Sequence, residues 1–183
     1  MIFLNFNPFP VMETDRLKLR KLLHEDATDF FRLRTHPEVL RYLDRQPERS
    51  VKEVFSVIDN IDMEIRSNTS VLWAISPAGS DRLIGTICFW RIDTYHHRAE
   101  VGYLLLPEYW GQGLMDEALK RIIHYGWEDI RLHTIEANIN PDNKASKNLL
   151  VRNGFVTEGY FRESYYFDGR YLDEEVLSLI HRE

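Results

Sequence analysis

The stretch from Ala99 to Asn138 leaves few ways to fold. AEVGYLLL (Ala99–Leu106) is an apolar run of strand length, and LHTIEAN (Leu132–Asn138) is a second. Between them lies a helix from about Gly113 to Asp129, with Leu114, Ala118, Leu119, Ile122 and Ile123 on one side. A helix that joins two strands of one sheet makes them parallel, with a right-handed crossover. The entry to that helix is EYWGQGLMDEA (Glu108–Ala118). Gly111 and Gly113 let the backbone turn sharply and bring N–H groups against a ligand with no Cβ in the way. The first helical turn carries unpaired N–H donors and the positive end of the helix dipole. Together these features make a site for phosphate. The turn is not a Walker loop, because no GK[ST] follows. Nor is it a dinucleotide fingerprint, because Asp116 stands where a third small residue belongs.

The flanking segments supply the rest of a sheet and its covering helices. RLKLRKL (Arg16–Leu22) alternates with period two, as a half-buried strand does. HEDATDFFRLRTHPEVLRYL reads as two short helices interrupted at Pro37. SVKEVFSVIDNIDMEIRSN (Ser50–Asn68) is a longer helix, with Val54, Val57, Ile58, Ile61 and Ile65 as its apolar stripe. Ser50 and Glu53 have the spacing of a capping box. VLWAIS (Val71–Ser76) and RLIGTICFWRI (Arg82–Ile92) are strands joined by the turn-rich PAGSD. A last helix runs from roughly Asn143 to Asn153 and stops at Gly154. Two strands near Phe155–Tyr165 and Tyr171–Ile180 turn at Asp168-Gly169. The order predicts an α/β (α+β) fold with a mixed sheet of about six or seven strands and helices on both faces. No repeat, low-complexity tract or long linker divides the chain, so residues 1–183 are read as a single domain.

Composition narrows the function classes. Lys and Arg number 23 against 29 Asp and Glu, a net charge of −6, which argues against nucleic acid and suits a cationic substrate. The single cysteine, Cys88, excludes an internal disulfide and a Cys-rich metal site. It lies within LIGTICFW and reads as a buried strand residue, not a nucleophile. The seven histidines have no metal-ligand spacing, and His96-His97 reads as a solvated loop pair, so no metal is expected. MIFLNFNPFP has no basic start and is broken by Asn5, Asn7, Pro8 and Pro10, unlike a signal peptide. No run approaches the ~20 apolar residues of a membrane span. A soluble, cytoplasmic protein with no membrane contact is expected.

These segments together resemble a known family. ETDRLKLRKL with Asp26-Ala27, HPEVLRYL, LIGTICFW, AEVGYLLLPEYWGQGLMDEAL, NPDNKASKNLLVRNGF and ESYYFDGRYLDEEVLSLI occur in the order found in the GCN5-related N-acetyltransferases (GNAT). They are similar to the branch of the RimJ/RimL ribosomal-protein N-terminal acetyltransferases, over about residues 12–181. One position departs from the general pattern. Glu108 stands where Gln or Arg is usual, and an acid there is expected to point away from phosphate.

The resemblance implies a GNAT fold, with a V-shaped splay between its two parallel central strands. It implies acetyl-CoA as co-substrate, an amine acceptor as partner, and a monomer or homodimer. Backbone N–H groups of Gln112, Gly113, Leu114 and Met115, at the turn opened by Gly111, are implied to hold the pyrophosphate. The backbone at Tyr103, Leu104, Leu105 and Leu106 would pair with the pantetheine arm, and an N–H near Leu104 or Leu105 would serve the oxyanion. Asn138 and Asn143 are further implied cofactor contacts. Ser146, in the family's N-x-x-S pattern, would contact the cofactor and donate to the departing sulfur. Asn143 and Ser146 also suit a helix N-cap, and the two roles can coexist.

Chemistry adds a base. Acyl transfer needs a neutral amine. At pH 7 a lysine amine, with pKa about 10.4, is charged, whereas an α-amine at about 7.7–8.0 is roughly a tenth neutral. Glu100 is the candidate base, on the opposite strand face from Val101, Tyr103 and Leu105; the alternative is a strand glutamate that is solvated or in a salt bridge, for which Arg98 is one candidate partner. Tyr165 and Tyr166 line an acceptor pocket or simply pack. Glu163, Asp173, Glu174 and Glu175 face a cationic acceptor or form a charged rim. The function classes that follow are an acetyl-CoA-dependent N-acetyltransferase acting on a protein N-terminal amine, one acting on a small amine, and a non-catalytic acetyl-CoA sensor. A nucleic-acid binder would need a basic stripe or aromatic platform, and neither is present.

Overall fold

The structure is a computed structural model that describes residues 1–182. Eight strands form one sheet: β1 (Met12–Glu13), β2 (Leu17–Lys21), β3 (Val71–Pro77), β4 (Gly85–Asp93), β5 (Arg98–Leu105), β6 (Thr134–Ile139), β7 (Val156–Phe167) and β8 (Arg170–Ile180). Their spatial order is β1-β2-β3-β4-β5-β6-β8-β7. The expectation of six or seven strands is corrected by one: β1 is only two residues long, too short to show a period.

Every neighbouring pair is antiparallel except β5 and β6. Those two pair in parallel only from Arg98 to Glu100, opposite Thr134 to Glu136. Beyond that point β5 stays with β4, and β6 stays with β8. The facing edges therefore part, which is the splay that the resemblance implies.

Helices α1 (Ala27–Thr35), α2 (Pro37–Leu40) and α3 (Val51–Arg66) precede β3, α4 (Leu114–Tyr125) joins β5 to β6, and α5 (Lys144–Arg152) follows β6. Period-two alternation sorts strand side chains between two cores. Trp73, Ile75, Ile87 and Phe89 pack with Leu119 and Ile122 of α4 and Leu150 of α5. Ala74, Leu83 and Leu106 pack with Phe30 and Leu33 of α1 and Val54 and Ile58 of α3. Burying each large apolar side chain contributes about 1.5–3 kcal/mol. Trp73 is fully buried, and its indole N–H is satisfied by the Pro10 carbonyl at 2.7 Å.

Helix ends follow local chemistry with two corrections. The Ser50 side chain makes no cap bond; instead the Glu53 carboxylate reaches one residue further back and accepts from the Arg49 N–H at 2.8 Å. The helix expected to reach Asp129 is regular only to Tyr125 and then widens into a π turn over Gly126–Ile130. A Cβ at Gly126 would come within 3.1 Å of Phe89, so the backbone there packs directly on the sheet. At the hairpin tip Asp168 and Gly169 both have positive φ, 47° and 83°, as a type I′ turn requires. Among the described residues no helix is long and apolar enough to cross a membrane.

Candidate active site

The turn between β5 and α4 is built from backbone. Gly111 and Gly113 have φ of 70° and 74°, the left-handed region open to glycine at little cost. Gly113 is the N-cap of α4, and the first intrahelical bond runs from the Glu117 N–H to the Gly113 carbonyl at 3.1 Å. The N–H groups of Leu114, Met115 and Asp116 therefore precede any acceptor within the helix.

An anchor from the far edge of the sheet holds this turn, and reasoning from sequence missed it. Glu117 accepts from the Thr14 hydroxyl at 2.5 Å, the Arg16 N–H at 2.9 Å and Arg16 Nε at 2.6 Å. Arg16 Nη1 in turn donates to the Gln112 carbonyl at 2.9 Å. Arg16 and Glu117 lie 101 residues apart, so no local pattern announces the pair. Arg16→Met is expected to raise the dissociation constant for coenzyme A, the ligand implied by the resemblance, several-fold in calorimetry. The melting temperature should fall by only a few degrees, because an ion pair this exposed contributes about 1 kcal/mol or less.

A cavity of about 740 Å³ begins at the turn and runs along Tyr103–Leu105, the part of β5 beyond its pairing with β6, to the start of α5; Glu100 is not in its lining. That volume lies within the usual range for small-molecule sites. Tyr103 belongs with the core under α4 and α5, and Leu104 with the core under α1 and α3, yet both line the cavity. It therefore passes through the sheet, from Met115, Ser146 and Leu149 on one side to Val39, Tyr42 and Leu43 on the other. The Val39–Leu43 side of the lining also went unread in the sequence.

Of the residues named from sequence, the structure brings Tyr103, Leu104, Leu105, Gly111, Gly113, Leu114, Met115, Asn143 and Ser146 to this cavity. Leu106 is instead fully buried in the α1–α3 core. Gln112 turns its side chain back to the Glu108 carbonyl at 2.8 Å. Asn138 lies on β6 with a buried Oδ1 that has no partner among the described residues. The Glu108 carboxylate pairs with Arg32 of α1 at 2.6 Å, away from the turn, as expected of an acid there.

At the start of α5 the Asn143 side chain accepts from the Ser146 N–H at 3.1 Å, so the capping role is present. The Ser146 and Tyr103 hydroxyls lie 2.7 Å apart. Glu100 sits at the last paired step before β5 and β6 part, and it is 7% exposed. Burial pushes its carboxyl up to about 7, against the opposing pull of Arg91 and with help from Glu174 and Glu136. Its partner is Arg91 at 3.1 Å and not Arg98, which pairs with Glu136. The reason is a bulge in β4, where Arg91 takes a φ of 48° and the register with β5 shifts.

The remaining candidates separate. The Tyr165 hydroxyl donates to Asp44, whereas Tyr166 packs edge-on against Tyr171 and is exposed. Glu175 is buried and paired with Lys147 at 2.6 Å, while Asp173 accepts from the Tyr160 hydroxyl and the Glu163 N–H. Glu174 accepts from the Ser164 hydroxyl at 3.2 Å. Cys88 is only partly covered as a residue, but its thiol donates to the Gly102 carbonyl at 3.4 Å and desolvation pushes it up to about 12. A thiol so placed is a poor nucleophile. No group of three or more His, Cys, Asp or Glu among the described residues could hold a metal.

Comparison with known proteins gives the chain its family and agrees with the fold. A family model described as an acetyltransferase (GNAT) domain matches residues 16–156. YoaA of Bacillus subtilis, named an uncharacterized N-acetyltransferase, is 35% identical over 147 residues, covering 80% of this chain and 83% of that protein. The ribosomal-protein-serine acetyltransferase of Escherichia coli is 37% identical over 75 residues, 41% of this chain and 42% of the relative. The crystal structure of a Vibrio cholerae spermidine N-acetyltransferase with CoA and spermine superposes with a TM-score of 0.80 at 24% identity, covering 91% of this chain and 96% of that one.

Proposed function

From the premise that this chain belongs to the GNAT family and is an acetyl-CoA-dependent N-acetyltransferase, we propose that it acetylates a primary amine by direct attack in a ternary complex, with a protein N-terminal α-amine as the acceptor. One observation carries this reading. A single cavity joins the free N–H groups of the glycine turn to Ser146 and crosses the sheet. A long cofactor and an amine can then enter from opposite faces and meet between β5 and β6.

In this reading the amine nitrogen forms a bond to the thioester carbonyl carbon, and the C–S bond breaks. The oxyanion is held by the backbone N–H of Leu104 or Leu105. The proton leaves the nitrogen through water to Glu100, which stands four residues and about 13 Å along β5 from Leu104. The departing thiolate accepts a hydrogen bond from the Ser146 hydroxyl. No acyl-enzyme forms, and the high thiol pKa of Cys88 fits that. An α-amine asks less of a carboxylate base titrating at about 7 than a lysine does.

A small polyamine is the second reading, favoured by Glu136 and Glu174 beside Glu100. Thiol release from acetyl-CoA separates the two. Peptides with free Ser or Ala N-termini are expected to be turned over, their N-blocked forms not, and spermidine more slowly. Faster release with spermidine than with any peptide favours the small-amine enzyme. Binding of CoA with no release on either class overturns catalysis in favour of an acetyl-CoA sensor.

A further inference from the structure

The Tyr103 side chain has no part in the reading above, which draws only on its backbone. It comes from β5, lies with the core under α4 and α5, and reaches the first turn of α5. Its hydroxyl stands 2.7 Å from Ser146 Oγ, and both residues line the cavity. Among the described residues Ser146 has no other side-chain hydrogen bond, and it is 9% exposed. A helical serine ordinarily has another option, donating back to a carbonyl one turn earlier, which would take its proton away from the cavity.

We propose that Tyr103 is a positioning residue: its phenol donates to Ser146 Oγ and leaves the serine proton aimed into the cavity, where the cofactor sulfur departs. The direction of donation follows from acidity, since a phenol is a much stronger acid than an alkyl hydroxyl. Burial also pushes the Tyr103 phenol up to about 12, so it keeps its proton across the working range. Two hydroxyls in series polarise one another, and the outer proton becomes the better donor. No proton need be transferred; the thiolate is stabilised by the hydrogen bond alone. The proposal rests on the reading that Ser146 meets the sulfur, and its test is chosen to tell the two apart.

The probe is coenzyme A itself, so no acceptor is needed. The pKa of the bound thiol is read from the ultraviolet absorbance of its thiolate, with desulfo-CoA as the blank. In the wild type it is expected to lie about one unit below that of free CoA. Tyr103→Phe keeps the ring and should return most of that shift while CoA affinity and melting temperature hold. Ser146→Ala should return it too, and the double variant should match Ser146→Ala, because Tyr103 acts through the serine. With an acceptor peptide, kcat should fall about tenfold in Tyr103→Phe while the KM for acetyl-CoA stays constant. If Ser146→Ala moves the thiol pKa and Tyr103→Phe does not, the positioning role is overturned and the serine reading stands. Additive shifts also overturn it, since Tyr103 would then act independently. If neither variant moves it, both readings fall.

Discussion

Replacing Gly113 with glutamate is expected to raise the dissociation constant for coenzyme A on the order of 100-fold. Two effects combine. The residue sits at φ 74°, where a side chain strains the backbone by about 1–2 kcal/mol; the free turn relaxes out of that conformation, and CoA binding must restore it. The new carboxylate also stands beside the N–H groups proposed to receive the diphosphate. Like charges about 4 Å apart near a protein surface repel by about 4 kcal/mol before salt screening. Each 1.4 kcal/mol or so is tenfold in affinity. Crowding within the protein is not the cause, because a Cβ at Gly113 would meet only Arg16 Nη2, at an ordinary 3.6 Å. Gly113→Ala therefore isolates the strain and should cost about tenfold. Pantetheine, which lacks the diphosphate, should bind both variants nearly as it binds the wild type. Calorimetry that found CoA affinity unchanged in Gly113→Glu would remove the turn as the cofactor's anchor, and with it the placement of the thioester.

That turn was legible because its chemistry is local. Two glycines ahead of an amphipathic helix define a backbone conformation without reference to the rest of the chain. The cap at Asn143 and the turn at Asp168-Gly169 were legible on the same ground. The parallel β5–β6 pair followed from a chain rule rather than from any contact. What escaped reading was non-local. Arg16 and Glu117 meet only because the folded chain packs α4 against β2, which Arg16 immediately precedes. Arg98, two residues from Glu100 in sequence, pairs with Glu136, and a bulge in β4 brings Arg91 to Glu100 instead. Alternation placed the Tyr103 side chain opposite Glu100, but nothing in a strand pattern says which helix residue it meets. The π turn at Gly126 was hidden because its cause, close packing on Phe89 and Ile135, is tertiary.

Glu100→Gln is expected to lower kcat/KM by about two to three orders of magnitude, the usual contribution of a general base. Wild-type kcat/KM should climb with pH through a midpoint of about 7, as Glu100 loses its proton, and the variant should lose that limb. The same substitution should make the protein more stable, and the sign can be worked out. The folded carboxyl titrates at about 7 and the unfolded one near the ordinary 4.5, so between those values the folded state holds more protons. Stability contributed by this group is therefore full below about pH 4.5 and lost as pH rises to 7. Above pH 7 the wild type keeps a buried charge whose one ion pair among the described residues is to the exposed Arg91. Gln carries no such charge. At pH 8 the variant should gain on the order of 2 kcal/mol, or several degrees in melting temperature, and at pH 4.5 the gain should vanish. A structural glutamate would behave oppositely: its loss would weaken the fold at pH 8 and leave the pH–rate limb in place. Activity lost together with stability gained, the second growing from about pH 4.5 and complete by about 7, marks a carboxylate held out of water for its chemistry.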